Sequence, residues 1–249
     1  IGQTSNKIWG VKMRILGLQH ARVEHPGYFR RLLNEDGHEY HGIELDEEEK
    51  IPNIENYDGL WVLGGPMDVW EEEKYPWLIE EKKFIRECVV QKGVPYLGLC
   101  LGHQLLAEAL GGSVVLAKTP EIGVMEVHLT EEGLNGVFFD GVEDKFKCLQ
   151  WHSAEVSKIP EGAKILASSE DCLIQAIKWE TRAYSVQFHL EAEAETVKNW
   201  SQIPAYSQSL IMAKGKSGVK RLEDACKVQM ENLNKNAERV YLNWLQASA

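Results

Sequence analysis

The sequence predicts an α/β fold: a mostly parallel central sheet covered by helices on both faces. Three observations lead there. Short, nearly unbroken apolar runs alternate with helical stretches up to about residue 110, and strands apolar on both sides are buried on both sides. One strand turns sharply into a helix at Gly98-Leu99-Cys100-Leu101-Gly102. From residue 113 to 189 short strands follow without long helices between them, so that half is more antiparallel and continues one edge of the sheet.

The elements follow in order. Residues 13–18, Met13-Arg14-Ile15-Leu16-Gly17-Leu18, read as a buried strand. Residues 26–34 read as a helix that Asp36-Gly37 stops. Residues 38–43 are a short second strand, and residues 59–63 are a third that ends in Gly64-Gly65-Pro66. Residues 77–91 are a strong helix, because Leu78, Phe84, Ile85, Cys88 and Val89 share one side; Gly93 ends it. Residues 94–98 enter the sharp turn as a strand, and residues 101–110 leave it as a helix. Strands are expected at 114–117, 123–129, 146–149, 164–167, 173–178 and 183–188. Helix returns from 196 to 210, broken or kinked at Pro204, and residues 215–218 are a loop. From 220 to 246, Leu222, Cys226, Met230, Leu233, Ala237, Val240 and Trp244 recur at steps of three and four. That is one long amphipathic helix, expected to pack on the domain, with a dimer helix as the alternative.

At 249 residues the chain can bury a full core as one domain spanning 13–249, with a main body at 13–191 and a helical segment at 192–249. Met13 immediately precedes the first strand, so residues 1–12 read as an N-terminal extension. The 27 basic and 38 acidic residues give a formal net charge of −11, a surface that repels nucleic acid and anionic membranes. Acidic runs such as Glu71-Glu72-Glu73 read as solvated faces rather than metal sites. Five cysteines with no C-x-x-C fit a reducing cytoplasm rather than a disulfide framework or structural zinc. No stretch approaches the roughly 18 apolar residues of a membrane span.

The turn at Cys100 is a G-x-C-x-G nucleophile elbow. Such a turn strains the backbone of its central residue, so small neighbours are needed two residues away on each side, here Gly98 and Gly102. The thiol then stands at the positive end of a helix, which favours a reactive thiolate. His189 and Glu191 end the last predicted strand two residues apart and can face one side of an extended backbone. Together they suit a Cys-His-Glu triad. The imidazole takes the thiol proton and returns it to a leaving amine, while the carboxylate fixes the tautomer. Gly64-Gly65-Pro66 lies where open α/β sheets bind ligands. The N–H groups of Gly65 and Leu101 are the natural pair to face a developing oxyanion.

These three motifs, in this order and spacing, resemble the class I (triad-type) glutamine amidotransferases over residues 13–191. The resemblance implies a flavodoxin-like, three-layer fold with an added C-terminal helix. It implies hydrolysis of the glutamine side-chain amide through a γ-glutamyl thioester on Cys100, with ammonia passed to a synthetase partner. The GMP-synthase-like glutaminase domains are the most similar branch. By the same resemblance, Gln104 and Gly64 contribute to substrate binding, with Gln104 at the α-amino-acid end. Residues 150–155 form a loop closing over glutamine, with Trp151, Ser153 and Ala154 at the substrate, and His103 and His152 are structural. Leu190 stands where the family usually has proline, so Glu191 lacks the local restraint that proline would supply.

Other residues point nowhere further. His38 and His41 fall on opposite faces of a strand and make a poor metal pair. His20 and His25 read as ordinary loop histidines near the functional edge. No G-x-G-x-x-G or G-x-x-x-x-G-K-[ST] occurs, so no nucleotide site is indicated. No metal or organic cofactor is expected, because nucleophile, base and oxyanion donors all come from the protein. The motifs leave two alternatives to the amidotransferase: a γ-glutamyl peptidase or hydrolase using the same triad, and a non-catalytic regulatory module.

Overall fold

The computed structural model describes residues 12–249; the expected extension, Lys12 apart, lies outside the described residues. Five strands run parallel: β1 (Arg14–Gln19), β2 (Glu39–Glu44), β3 (Gly59–Val62), β4 (Tyr96–Leu99) and β9 (Ala183–Val186). Antiparallel pairing adds β5 (Ser113–Leu129), β6 (Lys145–Lys158), β7 (Lys164–Ser168) and β8 (Ala176–Trp179). All nine join one sheet in the order β2-β1-β3-β4-β9-β8-β7-β5-β6. The expected division into a parallel and an antiparallel half therefore holds, with β9 as the shared strand.

Alternation along the parallel strands builds the layers. Ile15, Trp61 and Leu97 face α1 (Gly27–Asp36) and α7 (Gly218–Ser248), packing with Phe29, Leu33, Tyr241 and Trp244. Leu16, Leu60, Val62 and Tyr96 face the opposite way. They pack with Leu78 and Ile85 of α2 (Trp77–Arg86) and with Leu105 and Leu106 of α3 (Leu101–Ala109). The expected helix at 77–91 is continuous, its last turn widening to a π-helix at Glu87–Gln91. The long C-terminal helix is docked within the chain: Trp244 crosses Trp61 edge to face at 5.4 Å and donates to the Tyr96 carbonyl at 3.0 Å.

Three differences from the sequence reading have local causes. The strands expected at 114–117 and 123–129 are one strand, β5, interrupted by a register shift: Leu116 pairs with Ala154 and Glu121 with His152. Residues 117–120 bulge out between those pairs. The strand expected at 146–149 continues to Lys158, so the segment read as a loop over the substrate, 150–155, is β6 strand. The resemblance implies a loop there, whereas Trp151, His152 and Ala154 pair with Ile122, Glu121 and Leu116 of β5. Finally, the sequence reading places no helix at α4 (Glu131–Asn135), although Thr130 caps it by accepting from the Gly133 N–H at 3.1 Å. Pro204 ends the run at 196–210 as expected, and it does so by opening a new helix. It sits in the first turn of α6 (Pro204–Lys214), after α5 (Thr196–Trp200), where a missing N–H costs nothing.

Candidate active site

Parallel pairing sets the carboxyl ends of β1, β3, β4 and β9 side by side, and every motif residue follows one of those ends. Cys100 connects β4 to α3 with φ 52° and ψ −102°, in the left-handed half of backbone space that side chains rarely enter. A Cβ at Gly98 would lie 2.6 Å from the Gly102 carbonyl oxygen, and one at Gly102 would overlap the Val62 carbonyl oxygen. The two glycines are thus a steric requirement of the elbow. The Cys100 N–H donates to Val186 of β9 at 2.9 Å, tying the elbow to the strand that leads to His189.

His189 is 1% exposed, and its N–H donates to the Leu149 carbonyl at 2.8 Å. Its Nδ1 lies 2.7 Å from Glu191 Oε1, so the other ring nitrogen is left for Cys100. Burial disfavours a charged imidazole here. The Glu191 carboxylate and the Cys100 sulfur outweigh it and hold His189 well above the ordinary histidine range. Leu190 needs no proline to hold this geometry: its side chain is buried in the core, and the Tyr28 N–H at the start of α1 donates to the Glu191 carbonyl at 2.8 Å.

A cavity of about 190 Å³ opens beside the thiol. Gly65, Cys100, Leu101, Gln104, Trp151, Ser153 and Ala154 all line it. Neither the Gly65 nor the Leu101 N–H has a backbone acceptor among the described residues, so both remain open to an anion. Gly64 does not line the cavity; it packs against Glu24 and His189, and its carbonyl accepts from His20. The Gln104 amide donates to Ala154 O at 3.1 Å and to Gln187 Oε1 at 3.0 Å, and Gln187 donates in turn to the Cys100 sulfur at 3.6 Å.

The comparisons with known proteins agree with this geometry. The family model described as "Glutamine amidotransferase class-I" matches residues 29–199. This chain belongs to the class I glutamine amidotransferases. The amidotransferase is 32% identical over 186 residues to a glutamine-hydrolysing GMP synthase subunit from Sulfolobus acidocaldarius, covering 71% of this chain and 94% of the relative. With the counterpart from Methanocaldococcus jannaschii it shares 34% identity over 164 residues, 64% of this chain and 80% of the relative. It superposes on a crystal structure of a glutamine amidotransferase from Thermotoga maritima with a TM-score of 0.82 at 31% identity, covering 93% of this chain and 97% of that one.

Several residues of the amidotransferase site were not singled out in the sequence. Ala205, Tyr206 and Ser209 of α6 line the cavity, and Ser209 accepts from Trp151 Nε1 at 3.2 Å. The Trp200 ring stands edge-on to His189 at 4.4 Å. Asp68 supplies the cavity with a carboxyl group that burial pushes up. Glu24, 1% exposed, lies beside the triad on the β1 side, with a carboxyl oxygen within 4.8 Å of donor atoms of His189 and Glu191. None of these carries a short-range sequence signal beyond its place after a strand or in a helix that packs on the sheet.

Five of the seven other histidines have buried or part-buried hydrogen bonds. His103 is fully buried between Ser185 Oγ (2.8 Å) and Ile174 O (3.2 Å), and burial pushes it down to about 3. His152 bonds Ala154 O and Glu121, whose carboxylate also accepts from Ser169 and Gln175. His20 bonds Gly64 O and Glu81, His25 accepts from the Gly27 N–H, and His38 accepts from the Met13 N–H. Among the described residues two groups have donor atoms close enough for a cation, Glu121–His152–Cys172 and Glu24–His189–Glu191. In both, the histidine is already hydrogen-bonded to a carboxylate of the group. Among the described residues no helix is long and apolar enough to cross a membrane.

Proposed function

We propose that this chain hydrolyses the side-chain amide of L-glutamine through a γ-glutamyl thioester on Cys100 and releases ammonia for an acceptor held by a synthetase partner. The observation that carries this reading is the meeting of a strained Cys100 elbow with a His189 that Glu191 already orients. In this cycle His189 takes the thiol proton, and the sulfur attacks the amide carbon. The oxyanion faces the Gly65 and Leu101 amides. His189 then protonates the departing ammonia. A water that loses its proton to His189 cleaves the thioester and frees glutamate. Gln104, Trp151, Ser153 and Ala154 frame the α-amino-acid end. The two archaeal relatives are each named as one subunit of a glutamine-hydrolysing GMP synthase, which supports an ammonia acceptor on a separate synthetase chain.

The test is release of ammonia and glutamate from L-glutamine, compared with a panel of γ-glutamyl peptides, with Cys100→Ala as the blank. Turnover of glutamine in preference to the peptides is the expected result. Preference for the peptides would replace this reading by the hydrolase one. A Cys100→Ala chain that keeps every measurable function would mark the fold as a regulatory module.

A further inference from the structure

Glu24 is a buried acid that the cycle above leaves without a task. It follows β1 and accepts a hydrogen bond on Oε1 from the Tyr206 hydroxyl of α6. Its Oε2 occupies the space where a side chain at Gly64 would go, 2.6 Å from that Cβ position, with His189 Cε1 3.2 Å from the same point. Glu24, Glu191 and His189 bring ionisable atoms within 4.8 Å of one another. Two carboxyl groups therefore lie beside the imidazole, Glu191 on Nδ1 and Glu24 near the Cε1 edge. Gly64 keeps the second approach open.

We propose that Glu24 is a positioning residue for the His189 imidazolium, and that Tyr206 makes its action depend on α6 lying over the cavity. The proposal rests on the Cys100–His189–Glu191 reading given above. His189, Glu191, His20 and Tyr206 face Glu24, while Cys100, Glu191 and Glu24 face His189. Burial pushes the Glu24 carboxyl up to about 7, against the pull of the His189 charge and the Tyr206 hydrogen bond. An ionised Glu24 favours imidazolium over imidazole and so holds the proton on His189 to higher pH. The Tyr206 hydroxyl favours the ionised carboxylate. Tyr206 also packs on Trp200 and Trp151, at 5.8 and 5.6 Å, so loss of the α6 contact would remove the donor and the wall of the cavity together.

The experiment follows the loss of the His189 proton in two ways. One is the basic limb of kcat/KM. The other is the upper inflection of the iodoacetamide alkylation rate at Cys100, read by mass spectrometry. Wild type, Glu24→Gln and Tyr206→Phe are compared, with Cys100→Ala as the blank. Glu24→Gln is expected to move both readings down by about one pH unit. Tyr206→Phe is expected to move both readings down by a smaller step, because more of Glu24 now carries a proton. Glu24→Gln profiles superimposable on wild type would overturn the proposal, whatever the change in rate or thermal stability. Should Glu24→Gln fail to fold, Tyr206→Phe decides: a downward shift of both readings supports the proposal, and unmoved readings overturn it. Turnover retained by Cys100→Ala would overturn the triad reading and the proposal together. A silent Cys100→Ala beside an unmoved Glu24→Gln profile overturns the Glu24 role alone.

Discussion

Gly102 of α3 packs so closely on the Val62 carbonyl oxygen of β3 that a methyl group at position 102 would overlap it. That contact joins the elbow helix to the strand whose end supplies Gly65, so the nucleophile and one oxyanion donor share a single backbone approach. Gly102→Ala is expected to cost about 2 kcal/mol, a fall in Tm of about 6 °C, because the atom in the way is backbone and cannot rotate aside. Calorimetry checks the stability. Loss of Cys100 alkylation in the surviving folded fraction would show that the elbow has moved.

Glu191→Gln tests the role of the carboxylate behind His189. A carboxamide of the same shape can fill the site but lacks the charge that keeps His189 protonated when thiolate forms. The expected result is a fall in kcat on the order of 10³-fold with little change in KM. A variant within about fivefold of wild type would mean that Glu191 does not orient the base.

His103 makes stability depend on pH, and the sign follows from its partners. The native state holds it neutral down to about 3, whereas the unfolded chain protonates it near its ordinary value of 6.5. Between those limits the unfolded state binds more protons, so the stabilising contribution is full above 6.5 and declines as pH falls. In His103→Gln that decline is absent. The stability gap between wild type and His103→Gln is expected to shrink by about 2 kcal/mol from pH 7 to pH 5, measured by urea unfolding. A gap independent of pH would show that His103 titrates alike in both states.

Trp244→Ala addresses α7. The indole is fully buried, fills the space above Gly59 and donates to Tyr96 O. Its removal is expected to cost about 3–5 kcal/mol in chemical denaturation, with Glu191 and Cys100 kinetics at low temperature close to wild type. A loss below about 1 kcal/mol would mean that α7 is peripheral to the core.

Much of the fold was legible because its causes are local. The apolar runs of β1, β3 and β4 reflect burial on two faces, and the three-and-four spacing from Leu222 to Trp244 marks the stripe that α7 turns to the sheet. Segment 150–155, a loop by the resemblance, is β6 strand in the fold. Glu121 answers His152 from the partner strand, and no window of sequence around 150 contains that residue.

By itself the sequence determined the elbow backbone, the reach of His189 to Glu191 and the family. A G-x-C-x-G turn and an H-x-E at a strand end act over a few bonds, and sterics and alternation decide them. The tertiary structure alone decided that Glu24 and Tyr206, 182 residues apart, share a hydrogen bond beside His189. It also decided that α6 returns to wall the cavity, and that Gly64 faces Glu24 rather than the pocket. Those outcomes depend on strand order and on which helix covers which face. They arise from burial summed over the whole chain, which no short segment encodes.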